Sequence, residues 1–320
     1  MLKALGRDEY DLLGGDLDPY AAGLYLVPQD RRFLLPRGDA PGFDSFVLDL
    51  CGRAGIDVLI PTVDSELVPL ARRRRELGAA GTRLVLADEA TLACCLDKWE
   101  LYLTCSGTVN VPGTSLVDDG FDPSSVAIPS IVKPRSGSGS RGVAILRSRE
   151  EVERLPRDGS LLVQDFLPGT EYSLDVLARP DGEVVAVVPR ARLKIDSGIA
   201  VTARTVISER LDAIGRAVAA RIGLTAIANV QVKEDARGEP ALLEVNPRFP
   251  GTMSLTVAAG INMPRLSVEA ALGTPIPAGR LPFIELGMAR YLEETFFATE
   301  ELQRSEAARL ALGDGVVPDD

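Results

Sequence analysis

Residues 241–251 read ALLEVNPRFPG, and Glu244, Asn246 and Arg248 fall at every second position among leucine and valine. In an extended chain alternate side chains share a face. A carboxylate, an amide and a guanidinium would thus project together from a largely apolar strand, with Leu243 and Val245 anchoring it to the core. A second strand-like run, NVQVK at 229–233, is joined to the first across the turn-like ARGE, which brings Gln231 to the same face. Gln231, Glu244 and Asn246 are hard oxygen ligands of the kind Mg2+ takes, the rest of its shell being water and substrate phosphates. Arg248 is placed to neutralise charge on a transferring phosphoryl group. A solvent-facing strand side would satisfy VQVKED by itself, but explains the second row less easily.

Upstream lies the loop SGSGSRG, which supplies Ser136, Gly137, Ser138, Gly139 and Gly142. It is not a Walker loop, which needs GxxxxGK[ST] running into a helix, and the VAIL that follows it is β-like, so the loop joins two strands. Such a hairpin can fold over phosphate oxygens and donate backbone N–H groups where side chains would block approach. Lys133, in the preceding IVKP, would reach the same phosphates; a surface hairpin fits the loop equally well. In QDFLPG, Gln164, Asp165, Phe166 and Leu167 form a possible hinge offering backbone groups to a flat base, and Glu171 just beyond can accept ribose hydroxyls. An ordinary hairpin with a surface Glu accounts for that segment too. Finally, VPRARLKID sets Arg190, Arg192 and Lys194 in alternation with Ala191, Leu193 and Ile195. This is a basic stripe suited to phosphate or an anionic substrate, or else a solvated edge strand.

The elements that must position these groups change style along the chain. Strands are expected at 10–18, 31–37, 56–62 and 82–87, alternating with helices at 43–55, 64–78 and 88–105, a rhythm that indicates a parallel sheet with helices on its faces. Asp64, in PTVDSE, reads as a helix N-cap or as part of an acceptor pocket at a strand end. Residues 106–128 read as a connector. Strands then flank the glycine loop and recur at 160–169, 171–178 and 183–190, with a hairpin turn at RPDG. A helix capped by Ser208 and stopped by Gly223 precedes strands at 227–235 and 240–246. MLKALG reads as the end of a helix, so the start of the sequence is expected to lie inside the first helix of a longer domain.

With 320 residues, two or three packed units are expected. The net charge of −11 argues against nucleic acid or an anionic membrane as the main partner. No apolar run approaches a bilayer span and no signal-peptide core is present, so a cytoplasmic location is expected. Cys51, Cys94, Cys95 and Cys105 form no CxxC pair and read as reduced, mostly buried thiols. The chain contains no histidine, which removes Ser-His-Asp, Cys-His and histidine general-base chemistry. Any catalysis must rest on carboxylates, lysines, arginines, backbone amides or a metal.

Taken in order, DKWELYL, IVKPRSGSGSRG, VQDFLPGTEYSLDV, NVQVK and LLEVNPRFPG resemble the ATP-grasp superfamily, in particular the ATP-grasp module of the carbamoyl-phosphate synthase large chain and stand-alone carboxylate–amine ligases. The resemblance covers about residues 88–275. It implies an α/β and α+β fold: two α+β lobes enclosing a nucleotide, preceded by a Rossmann-like domain that lacks its first strand. The corresponding regions are 1–87 for that first domain and 88–300 for the ATP-grasp region, with 130–166 the small lobe, 167–300 the large lobe and 301–320 a helix and tail. The resemblance further implies ATP with Mg2+, or Mn2+ in its place. Lys98 and Lys133 match the phosphate-contacting lysines, Asp165 to Leu167 the adenine hinge and Glu171 the ribose ligand. Gln231, Glu244 and Asn246 match the metal positions and Arg248 the arginine near the γ-phosphate. The implied reaction activates a small-molecule carboxylate as an acyl phosphate for attack by an amine or other nucleophile; a homodimer is compatible with it. Two alternatives stand beside it: a nucleotide-binding regulatory module or inactive relative, and a carbamoyl-phosphate-synthase-like activity with a partner subunit. A kinase-like phosphotransferase shares the glycine loop but needs HRD and DFG strings, which are absent.

Overall fold

The computed structural model describes residues 2–6, 9–137, 139, 141–196 and 198–312. Ser138 of the glycine loop lies outside the described residues. The described residues divide into two compact units: up to Val85, with Pro264–Thr274 and the chain from Arg290 onward, and Leu86–Met263 with Pro275–Ala289.

In the first unit, α1 (Leu2–Leu5) stops at Gly6, whose φ is 76°. Strand β1 (Gly14–Asp16) pairs in parallel with β2 (Arg32–Leu34), and β3 (Val58–Leu59) with β4 (Arg83–Leu84). Parallel pairing is what the β-α-β rhythm demands. The strands are shorter than the sequence pattern suggests. The Asp16 carboxylate accepts from the Asp18 amide at 3.0 Å, a turn that closes β1. Helix α2 (Phe43–Ala54) buries Phe43, Val47 and Cys51 at helical spacing and ends on left-handed Gly55. The helix expected over 64–78 is two, α3 (Asp64–Arg72) and α4 (Arg74–Ala79). The Arg73 amide bonds the Leu70 carbonyl at 3.1 Å, tightening the turn between them. Asp64 is the first helical residue and Val63 the cap. The helix Thr299–Ala311 packs on β2 through an Arg32–Glu301 ion pair at 2.7 Å.

The second unit opens with α5 (Glu89–Leu96) and α6 (Lys98–Cys105), a break in what the sequence shows as one helix. Asp97 lies between them with extended backbone, and its carboxylate accepts from the amides of Trp99 at 2.9 Å and Glu100 at 3.3 Å. A helix start is thereby imposed one residue before Lys98. A four-stranded antiparallel sheet follows in the order β5 (Thr114–Leu116), β8 (Leu161–Asp165), β6 (Ser130–Pro134), β7 (Ala144–Leu146). Strand β5 arises from the stretch read as a connector. Helix α7 (Arg149–Glu153) is capped by Ser148.

A six-stranded antiparallel sheet carries the order β13 (Pro240–Asn246), β12 (Ile227–Glu234), β9 (Glu171–Ala178), β10 (Val184–Asp196), β11 (Ile199–Thr205), β14 (Gly287–Ala289). Strand β10 runs through the basic stripe. Helix α8 (Glu209–Arg221), capped by Ser208, buries Leu211, Ile214 and Val218 against one face. The opposite face of β9 presents Ser173 and Asp175, both buried. Helix α9 (Met253–Ala258) follows the turn after β13. Cys95 and Cys105 are buried and Cys94 half-buried, and burial holds all three thiols protonated, Cys105 at about 11. Among the described residues no helix is long and apolar enough to cross a membrane.

Contact between α8 and the sheet is set by Gly215, where an added Cβ would lie 2.7 Å from Val187 Cγ1 and 3.3 Å from Leu174 Cδ2. Gly215→Ala gains helix propensity of about 1 kcal/mol, but overpacking against a β-branched side chain costs roughly 1–3 kcal/mol. The expected outcome is a net loss of about 0–2 kcal/mol in urea unfolding; a stabilised variant would show that the sheet yields.

Candidate functional site

Asp97 joins helix and loop. Besides capping α6, its carboxylate takes the Arg135 Nε at 2.8 and 2.9 Å, and the Lys98 amide donates to the Arg135 carbonyl at 2.9 Å. The Arg135 guanidinium pulls the Asp97 carboxyl below its usual range against the opposing effect of burial. Lys98, at the first position of α6, therefore points at the glycine loop, and its Nζ donates to the Gly137 carbonyl at 2.7 Å. Gly137, Gly139 and Gly142 all have positive φ, and a Cβ at Gly142 would lie 2.8 Å from Pro134 Cγ. Glycine is thus required at that corner for space as well as conformation.

Lys133 is only 7% exposed. Its Nζ donates to Gln164 Oε1 at 3.0 Å and to the Leu243 carbonyl at 3.1 Å, and Gln164 Nε2 donates in turn to Thr114 Oγ1 at 2.9 Å. Burial is the main cause that lowers the Lys133 ammonium to about 8; Glu244 opposes it and Lys98 adds to it.

Strands β12 and β13 set Gln231 opposite Glu244 and Asn229 opposite Asn246, so the expected metal positions share one face. Glu244 Oε1 accepts from Asn246 Nδ2 at 3.2 Å, and Oε2 lies 3.9 Å from Lys98 Nζ. Strict alternation does not hold along β13. The register slips by one residue after Gln231, leaving Leu243 as the extra residue of a bulge. Leu242 and Val245 are the core residues, whereas Leu243, expected as an anchor, is half-buried and lines the cavity. The bulge aims its carbonyl at Lys133.

A similar slip breaks the basic stripe. The β10–β11 register shifts between Arg192 and Lys194, and again between Lys194 and Ile195. As a result Arg192 and Ile195 face the cavity, and Lys194 is exposed outside its lining. Arg192 donates to Glu171 Oε1 and, at 2.6 Å, to the Gly198 carbonyl. Arg190 does not meet the cavity either. It is fully buried, with Nη2 2.6 Å from Asp175 Oδ1 and Nε 3.0 Å from Oδ2.

These groups enclose a cavity of about 430 Å³. Of the residues expected from sequence, Lys98, Lys133, Ser136, Gly137, Gln164, Asp165, Phe166, Leu167, Glu171, Gln231 and Glu244 line it. Gly139, Gly142, Asn246 and Arg248 are outside that lining; Asn246 reaches it through Glu244, and Arg248 is half-buried on the turn after β13. Sequence reasoning missed Arg141, Lys233 and, as a partner of Glu171, Arg192. Lys233 lies opposite Glu171 in the β-ladder, with Nζ 5.4 Å from the Phe166 ring centre. Its signal was the alternation Asn229, Gln231, Lys233.

Five cations thus face three carboxylates in a protein of net charge −11, a local environment suited to a polyanion beside a flat apolar slot. Among the described residues no three His, Cys, Asp or Glu side chains form a metal-binding group. The Glu244, Gln231 and Asn246 set has one carboxylate and two amide oxygens, which fits a hard cation that draws its remaining ligands from water and phosphate. The cap at Asp97 is expected to govern this geometry. Asp97→Ala should lower the melting free energy by about 1–2 kcal/mol, and Asp97→Asn, which retains the cap, by less than about 1 kcal/mol. Equal losses in thermal unfolding would show that the Arg135 pair, not the cap, carries the effect.

Residues 157–289 match the family described as ATP-grasp in the biosynthetic pathway with Ter operon, and residues 2–85 match the PylC-like N-terminal domain. A D-alanine–D-alanine ligase of Thermotoga sp. strain RQ2 is 33% identical over 119 residues, 36% of this chain. The chain spans 39% of that relative's length. Among solved structures, a biotin carboxylase complex from Campylobacter jejuni superposes with a TM-score of 0.71 at 14% identity, covering 86% of this chain and 68% of that one. An L-amino acid ligase from Bacillus licheniformis gives 0.60 at 18% identity, covering 76% and 63%. At these identities the structural likeness is one of fold. The polar face of β12 and β13 thus lies within the stretch that an ATP-grasp family model matches, and the first unit's opening segment within the stretch that matches a PylC-like N-terminal domain.

Proposed function

We propose that the chain is a Mg-ATP-dependent ligase that activates a small carboxylate as an acyl phosphate for attack by an amine or other nucleophile. The observation that carries this reading is the meeting of Lys98, Lys133 and Glu244 in one cavity beneath the glycine hairpin. The names of the D-alanine–D-alanine and L-amino acid ligases support it.

In this reading Phe166 and Leu167 form the slot for the base. Glu171, held by Arg192, receives the ribose, and Lys98 and Lys133 hold phosphate oxygens. Glu244, with the amide oxygens of Gln231 and Asn246, would hold Mg2+, whose divalent charge would offset that of the phosphates. Arg248 offsets charge on the transferred group from the turn beyond β13. Without histidine the protein contributes chiefly by positioning two anions and screening their repulsion. Arg190 and Lys194 lie outside this set, the first locked in a buried pair and the second exposed.

Two measurements test the reading. Wild-type protein with Mg-ATP and pooled carboxylates and amines is expected to release ADP in a carboxylate-dependent manner, and Glu244→Ala should reduce that rate on the order of 100-fold. Tight ATP binding without turnover in any pool would favour a binding module instead. Nucleotide binding also carries a proton signature. A phosphate beside Lys133 raises its pKa from about 8 towards the ordinary lysine value, so near pH 8 binding must take up protons. As pH rises further, affinity should fall because the free site holds a neutral amine. Titration calorimetry in two buffers of different ionisation enthalpy should report net uptake near pH 8, absent in Lys133→Met; proton release would contradict the assignment.

A further inference from the structure

The largest fully buried side chain of the second unit is a charge, Arg190, and the carboxylate it meets, Asp175, is equally inaccessible. Asp175 Oδ1 also accepts from Asn229 Nδ2 at 2.8 Å, and Oδ2 accepts from Thr256 Oγ1 at 2.5 Å. The remaining Arg190 nitrogen, Nη1, donates to Thr252 Oγ1. A buried ion pair of this kind adds little stability compared with apolar side chains of similar volume, because desolvation offsets the attraction. Its chemistry is directional, and the directions are informative. Two of the partners, Thr252 and Thr256, belong to the turn and helix that follow Arg248. A third, Asn229, lies opposite Asn246 in the ladder.

We propose that the Asp175–Arg190 pair is a positioning device for the turn Asn246–Thr252, and that it sets how Arg248 is presented to the terminal phosphate of the nucleotide. The turn is tied at its front by the β13 ladder and by the Arg248 amide, which bonds the Asn246 carbonyl at 2.8 Å. At its rear Thr252 and Thr256 moor it to Arg190 and Asp175. Between these moorings the chain has left the β13 ladder, so the rear attachment helps set where the Arg248 guanidinium can reach. Arg190 and Asp175 lie outside the cavity lining and act through this segment and through Asn229. The inference rests on the reading of Arg248 as a γ-phosphate contact.

The test requires no acceptor substrate. Affinities for ADP and for a β,γ-imido ATP analogue, both with Mg2+, are measured for wild type, Thr252→Val, Thr256→Val and Thr252→Ser, alongside thermal melting. Wild type is expected to prefer the triphosphate. The two valine variants should keep ADP affinity to about twofold and lose roughly tenfold in triphosphate affinity, and the serine, which retains the hydroxyl, should restore it. An unchanged triphosphate preference in both valine variants overturns the proposal. So does a parallel loss of both affinities, which would mean a general structural role. A wild type that binds ADP and the triphosphate equally overturns the role given to Arg248 while leaving nucleotide binding intact. Wild type that binds neither nucleotide overturns the functional reading itself, and the positioning role with it.

Discussion

The carboxylate of Asp175 has no access to water and no freedom to lose a partner. It sits on the middle strands of the six-stranded sheet, and Arg190, Asn229 and Thr256 all satisfy it. Removing one member of such a set leaves an uncompensated charge or dipole in a low-dielectric region, at a cost of several kcal/mol, roughly 3–5. That constraint fixes three adjacent strands and the segment after β13 at once. Because α8 seals the other face with Leu211, Ile214 and Val218, the sheet has one apolar and one polar side. The candidate nucleotide site continues that polar side.

Electrostatically, the cavity inverts the protein around it. An acidic chain places Lys98, Lys133, Arg141, Arg192 and Lys233 on one wall system, and pairs several of them internally. Lys98 is taken by the Gly137 carbonyl and lies near Glu244; Arg192 is taken by Glu171. Lys133 differs: its hydrogen bonds go to a neutral amide oxygen and a backbone carbonyl, and burial depresses it against the pull of Glu244. In the proposed reading its affinity for protons and its affinity for phosphate are therefore linked.

One-residue slips in strand register, one between β12 and β13 and two between β10 and β11, account for most of the difference between the polar stripes expected and those formed. Alternation assigns a side chain to a face only while the ladder stays in register. At Leu243 the bulge exposes a leucine to the cavity and turns its carbonyl to a lysine. Beyond Arg192 the slip brings Ile195 to the cavity and leaves Lys194 outside. The connector at 106–128 supplied strand β5, and through Thr114 a partner for Gln164. Its short, Gly- and Pro-flanked run lacks a periodic signal of its own.

Residue type and order alone determined the kind of chemistry available. The histidine-free composition, the glycine loop between strands, the lysine before it and the Glu244, Asn246, Arg248 alternation are local features. So are the Ser208 cap and the Gly55 and Gly223 stops, because caps and left-handed stops depend on one residue and its immediate neighbours. Tertiary structure alone decided that Arg190 is a buried strut and Arg192 the cavity residue, though the two stand two positions apart in one basic run. Burial and register are set by which distant strand lies alongside, and Asp175, Thr252 and Thr256 come from segments whose meeting no local pattern encodes.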